Sequence, residues 1–184
     1  GLGRLDLCGF DRRVHQRPRR DGVVGIINGI DVGSWDPATD SHLAATYSRV
    51  DLSGKVVCKK ALQLELGLPN RDVPLIGIIG RLTSQKGFDL LAEIIPELMA
   101  EGVQIAILGT GDQILEDRFQ AAKERYPQQI GLSLKFDEGR AHRIEAGADM
   151  LVMPSRYEPC GLTQLYSLRY GTIPIVRKTG GLAD

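Results

Sequence analysis

The sequence holds three cysteines, Cys8, Cys58 and Cys160, and no two of them form a CxxC pair. An odd, widely spaced set excludes a disulfide framework and a zinc site, and it fits a reducing, cytosolic setting. Net charge is missing too, since 23 Lys and Arg offset 23 Asp and Glu. No overall field therefore steers the chain toward nucleic acid or a membrane surface. No apolar run approaches the ~20 residues of a membrane span, and no signal-like start is visible. A Walker A loop is absent, because no Gly-Lys-Ser/Thr occurs. LGTGD (108–112) offers only a partial dinucleotide fingerprint, its third glycine position being Ile114, which counts against an NAD-dependent dehydrogenase. DRRVHQRPRR (11–20) packs in five arginines without aromatics, and a solvated segment is the better reading than a nucleic-acid site. His15 and His142 show no spacing that points to metal or catalysis, and both read as structural.

What is present is an ordinary globular mixture, 42% hydrophobic and 25% charged over 184 residues. That is enough for one well-buried domain and part of another. From residue 74 onward apolar runs alternate with helical periodicity. Strands are expected at 74–82, 103–111, 130–136, 149–154 and 172–176. Between them, helices are expected from Phe88 toward Gly102, from Asp112 to Arg125, from Glu138 to Ala146 and from Leu162 to Tyr170. Pro96 argues for a kink or an early end of the first. Before residue 74 the order is looser. It reads as a strand at 22–28, a tight NGID turn, an extended GSWDPATD loop and a helix from Lys55 to Leu66. The fold class is α/β, a Rossmann-like doubly wound parallel sheet with helices on both faces. Residues 51–184 form the sheet domain, and 1–50 read as a linker or the tail of a preceding domain, with 1–21 atypical. In such sheets ligands bind at the carboxyl ends of the strands.

Five strand-to-helix junctions should open onto that edge. GRLTSQKG (80–87) brings Arg81 and Lys86 to a helix start, where cations and free N–H groups suit a phosphate or pyrophosphate. Phe136 ends the third strand and offers a face for a nucleobase, although half-buried packing is the commoner fate of a lone Phe. PSRYEPCGLT (154–163) places Glu158 and Cys160 just ahead of the backbone amides of Gly161, Leu162 and Thr163. The last junction carries Thr179, Gly180 and Gly181. A carboxylate beside an anion site is unfavourable unless it has its own partner, such as sugar hydroxyls or a developing positive charge. Nucleotide-sugar chemistry is the reading these residues favour, and they leave the sugar open.

NGIDVGSWDPATD, KKALQLELGLP, GRLTSQKGFDLL, ILGTGD and AGADMLVMPSRYEPCGLTQLYSLRYGTIPIVRKTGGLAD, in this order, resemble the bacterial glycogen (starch) synthases. The likeness covers residues 22–184 and is most specific over 147–184. It implies a GT-B enzyme, two Rossmann-like domains around a cleft, of which this chain is the linker and most of the C-terminal, nucleotide-binding half. The implied reaction moves glucose from ADP-glucose to the non-reducing 4-hydroxyl of an α-1,4-glucan such as glycogen, with retention of configuration. By that resemblance Arg81 and Lys86 hold the departing diphosphate, and Thr163 with the backbone near Gly161 and Leu162 adds phosphate hydrogen bonds. Phe136, often Tyr in the family, stacks on adenine. Glu158 contacts the glucose, with Cys160 close by, and Thr179, Gly180 and Gly181 line the substrate site. No cofactor and no metal are implied beyond ADP-glucose as donor. The implied setting is cytoplasmic, with no nucleic-acid or membrane partner.

Relative to that family the chain lacks an N-terminal domain with a Lys-x-Gly-Gly-Leu loop and a histidine near the transferred sugar. It also ends before the helices that would close the sheet. GRLDLCGFDRRVHQRPRR departs from the family pattern. Many related transferases carry a second glutamate eight residues after the first; here that position is Tyr166, as in the synthases. The fragment alone is expected to be inactive without the missing domain. A stand-alone nucleotide-binding module and a UDP-glucose-using GT-B transferase remain the alternatives.

Overall fold

The computed structural model describes residues 28–183. Five strands, β1 (Leu75–Ile79), β2 (Gln104–Leu108), β3 (Ile130–Ser133), β4 (Met150–Met153) and β5 (Ile173–Val176), form one sheet in the order β3-β2-β1-β4-β5. Every pairing is parallel. The helices are α1 (Ser53–Glu65), α2 (Phe88–Glu93), α3 (Ile95–Ala100), α4 (Gln113–Arg125), α5 (Glu138–Gly147) and α6 (Leu162–Arg169).

The apolar runs of β1 to β4 become strands because both faces of the sheet are covered there, whereas the edge strand β5 leaves Ile173 and Ile175 exposed. Along β1 successive side chains go to opposite faces. Ile76 and Ile78 enter one core with Phe88, Leu91, Phe119 and Ile107, while Leu75 and Ile79 join Leu62, Ile144 and Leu151 on the other. Helices α2 to α4 thus cover one face, and α1 with α5 the other. A third, smaller cluster joins Tyr47, Cys58, Ala146 and Tyr170, with Trp35 and Leu43 against it.

Several expected boundaries move, for local reasons. The helix expected from Phe88 onward is two helices. Ile94 leaves helical geometry, and Pro96 sits in the first turn of α3, where its missing N–H costs nothing. β3 stops at Ser133 rather than 136 because its ladder partner β2 ends at Leu108, opposite Ser133. The runs 74–82 and 103–111 likewise shorten to β1 and β2. GSWDPATD is not extended. Asp31 accepts from the Gly33 amide at 2.9 Å and the Ser34 hydroxyl at 2.8 Å, and Asp36 O accepts from the Asp40 amide at 2.9 Å, so the segment folds into compact turns. The strand expected at 22–28 and the arginine run at 11–20 lie outside the described residues, except for Asn28. Among the described residues no helix is long and apolar enough to cross a membrane.

The chain runs outward from β1 to β2 to β3, then returns to lay β4 on the opposite side of β1. The connections after β1 and β4 therefore leave the sheet on opposite faces, and a crevice opens between them.

Candidate functional site

That crevice explains how residues 72 positions apart in sequence meet. The loop after β1 carries Lys86, the loop after β4 carries Glu158, and Lys86 Nζ lies 2.5 Å from Glu158 Oε2. Ser155 Oγ donates to the same carboxylate oxygen at 3.2 Å. Glu158 is therefore paired with Lys86, one of the two cations expected at the diphosphate, and not with a partner separate from them. Both side chains are largely buried, 25% exposed for Lys86 and 13% for Glu158, so water screens the pair incompletely.

Arg156 locks the two loops together. Its guanidinium donates to Asp89 through two bonds of 2.5 and 2.7 Å and to Ser84 O at 2.5 Å, while its amide donates to Gln85 O at 2.9 Å. Asp89, hydrogen-bonded by Arg156, is held below the usual carboxylate range. Gly87 completes the junction with φ +73°, and a Cβ there would lie 2.1 Å from Pro154 O.

The final turn docks onto the Glu158 loop. The Gly181 amide donates to Glu158 O at 2.9 Å, and Thr179 Oγ1 donates to Arg156 O at 3.3 Å. Gly180 has φ +50°, and a Cβ on it would meet Glu158 O at 2.0 Å, so only glycine permits this approach. Cys160 is half-buried and accepts a hydrogen bond from Asn28 Nδ2 at 3.3 Å. Gly161 is the N-cap of α6; no side chain caps this helix, so its first amides, Leu162 and Thr163 among them, have no intrahelical acceptor.

Beside this cluster lies a cavity of about 340 Å³, bounded by Arg81, Gly80, Gly109, Phe136, Thr163 and Tyr166 among others. Arg81 is exposed at its rim and pairs with no carboxylate among the described residues. Phe136 is 90% exposed, which overturns the half-buried alternative and leaves a bare aromatic face at the cavity. Asp137 is held there by capping α5, where its side chain accepts from the Arg140 amide at 2.9 Å. The residues singled out in the sequence thus fall into two adjoining groups. Arg81, Phe136 and Thr163 line the cavity. Lys86, Glu158, Cys160, Gly161, Leu162, Thr179, Gly180 and Gly181 form the junction next to it.

The sequence reading missed three features. Trp35, from the segment before the sheet, lies between His142 (centroids 3.6 Å apart, planes 14°) and Tyr166 (3.8 Å, 10°) and forms part of the cavity wall. Asp40 anchors the same segment: His142 Nδ1 lies 2.7 Å from its Oδ2, and Tyr170 donates its hydroxyl at 2.5 Å. Burial works against the Asp40 carboxylate, yet these hydrogen bonds and one from the His42 amide keep it below its ordinary range. His142 is therefore structural, as its isolation in sequence indicated. The third feature is Glu145, also on the cavity wall and only 1% exposed. Its Oε2 accepts from Ser167 Oγ at 2.9 Å, and its Oε1 has no partner among the described residues. Burial pushes this carboxyl up to about 8, against the Ser167 bond and the Lys55 charge that lower it. Lys55 donates to the Ala146 and Tyr170 carbonyls at 3.0 and 3.2 Å and to Thr172 Oγ1 at 2.7 Å, and burial pulls its ammonium down to about 8. The one available signal for Glu145 was a carboxylate set in the apolar run Ile144-Glu145-Ala146-Gly147-Ala148.

Comparison with known proteins places these features in a family. The glycosyl transferases group 1 model matches residues 65–184. A glycogen synthase of Anaeromyxobacter sp. (strain Fw109-5) is 57% identical over 177 residues, 96% of this chain and 37% of that protein. Glycogen synthase 1 of Geobacter sulfurreducens is 53% identical over 169 residues, 91% of this chain and 34% of that protein. The chain thus spans little more than a third of the curated relatives it matches. Among solved structures, the catalytic domain of starch synthase IV from Arabidopsis thaliana, bound to ADP and acarbose, superposes with a TM-score of 0.82 at 43% identity. That likeness covers 88% of this chain and 34% of the other. The C-terminal domain of a glycosyl transferase group 1 family protein from Francisella tularensis shares the fold, with a TM-score of 0.56 at 19% identity over 83% of this chain and 72% of that one. On the match over residues 65–184, this chain belongs to the group 1 glycosyl transferases.

Proposed function

We propose that the chain is the nucleotide-sugar half of a glycogen synthase, transferring glucose from ADP-glucose to the non-reducing 4-hydroxyl of an α-1,4-glucan with retention of configuration. The observation that carries this reading is the meeting of Lys86 and Glu158 at 2.5 Å in the crevice, next to the uncapped start of α6 and the exposed Arg81. The diphosphate lies between Arg81, Lys86 and the Leu162 and Thr163 amides, and Phe136 stacks on the base. Lys86 gives the leaving phosphate its positive charge while Glu158 turns toward the hexose. There the carboxylate holds hydroxyls and stabilises positive charge growing at the anomeric carbon. These are fixed charges placed before the reaction begins, so little reorganisation accompanies bond breaking. The ADP in the related starch synthase structure, and the glycogen synthase names of the curated relatives, support ADP-glucose and glucan as substrates. Cys160, Thr179, Gly180 and Gly181 hold the Glu158 loop and border the sugar.

The test joins this chain to the N-terminal domain of a close relative and follows glucose incorporation into glycogen from ADP-glucose and from UDP-glucose. Lys86→Ala and Glu158→Ala should each lower the rate by roughly 10²–10³. A chimaera whose rate survives both substitutions removes the site assignment, and a preference for UDP-glucose removes the donor assignment.

A further inference from the structure

Among the described residues Glu145 is the one fully buried carboxyl that lines the cavity, and none of them accounts for its free oxygen. Buried polar atoms are paired in the great majority of cases, and an orphan calls for an explanation. Ser167 takes Oε2, and Lys55, whose charge acts on this carboxyl, spends its bonds on main-chain carbonyls and Thr172 rather than on the carboxyl. Oε1 is left over, on a residue that lines the cavity together with the apolar Trp35, Ile79, Leu108 and Ala141.

We propose that Glu145 hydrogen-bonds a ribose hydroxyl of the bound nucleotide and sets the preference of this site for ribonucleotides. The proposal rests on the nucleotide-sugar reading above, because it needs a nucleotide in the cavity. Its own support is chemical. Arg81 and Thr163 mark the end of the cavity that accepts phosphate. A second phosphate near Glu145 would meet a carboxyl, so the partner of Oε1 is a neutral group. With its carboxyl pushed up to about 8, Glu145 is mostly protonated at neutral pH and suits an uncharged partner. A hydroxyl both donates and accepts, so it satisfies Oε1 whichever oxygen carries the proton. The exocyclic amine of a base only donates, and a ring nitrogen only accepts. A site built to pair a hydroxyl also rejects the analogue that lacks it, since the buried group is then left unpaired.

The experiment is calorimetric titration of the 184-residue chain with ADP, 2′-deoxy-ADP, 3′-deoxy-ADP and UDP, repeated with Glu145→Leu and Glu145→Gln, folding checked by circular dichroism. The wild-type chain should bind ADP about tenfold more tightly than one of the two deoxy analogues. Glu145→Leu should bind all three with the affinity of the weaker analogue, and Glu145→Gln, which still donates and accepts, should keep most of the preference. If the wild type binds ADP yet treats the three alike, the assignment falls without any variant, and the nucleotide site stands. It also falls if Glu145→Leu keeps the preference, or if it alters only the choice between ADP and UDP, which would put Glu145 on the base. If no nucleotide binds the wild type, the underlying reading fails and carries this one with it.

Discussion

Lys55 and Glu145 place two groups of opposite sign in a nearly dry part of the molecule, and each is displaced toward neutrality. Burial raises Glu145 from its ordinary 4.5 to about 8, so between those values the folded chain holds a proton that the unfolded chain has released. Stability from this group is complete below the lower value and declines as pH climbs through the higher one. Lys55, lowered by burial from 10.5 to about 8, works in the opposite sense. Above pH 8 the unfolded chain binds the extra proton, and stability recovers toward pH 10.5. The pair thus produces a minimum near pH 8. Glu145→Gln should abolish the acid limb. The free-energy gap between variant and wild type, followed by urea unfolding from pH 5 to 8, should shift by a few kcal/mol in favour of the variant. A gap that stays constant with pH would mean that Glu145 titrates as it does in the unfolded chain.

At the scale of elements, the two loops that build the site depend on an approach that only glycine permits. Gly87 adopts φ +73° with its Cβ position 2.1 Å from Pro154 O. Gly87→Ala therefore meets both a left-handed backbone and a main-chain clash, which together should cost about 2 kcal/mol or more. Because the clash pushes the β1 and β4 loops apart, it should also weaken ADP binding by separating Lys86 from Glu158. Denaturation midpoint and titration check the two halves, and unchanged values would show the loops to be independently mobile. The order of strands and helices was legible in the sequence because buried strands write themselves as apolar runs, and the stretch from Phe88 onward as helical spacing. Lys86 and Glu158 were legible as candidates because strand-to-helix junctions of a parallel sheet share one edge. Their direct pairing was not, since it depends on β4 returning beside β1. Strand ends were misjudged wherever the apolar pattern outran the ladder partner, as beyond Ser133. The compact turns of 31–40 rest on Asp31 and Asp36 side chains bonding their own backbone, a signal present in DVGSWDPATD although GSWDPATD was read as an extended loop.

For the molecule as a whole, residues 28–50 act as a strap tied across α5 and α6. Trp35 stacks on His142 and Tyr166, Asp40 bonds His142 and Tyr170, Tyr47 donates to Tyr170 O at 2.8 Å, and Arg169 pairs with Asp36. These contacts centre on a small cluster distinct from the two cores that flank the sheet. Strap and sheet should therefore open separately, since stability varies across a structure in semi-independent units. Trp35→Ala removes two stacked ring faces from a half-buried site and should cost the strap about 2 kcal/mol. Hydrogen exchange should then speed up across Trp35–Tyr47 while β1 and β2 keep their protection. ADP affinity should drop several-fold, because the same indole forms a wall of the cavity. In the wild type, ADP should slow exchange in the strap for the same reason, coupling a bound nucleotide to the segment leading into the sheet domain. Equal acceleration in β1, β2 and the strap would show a single cooperative unit, and the coupling would then have no separate element to act through.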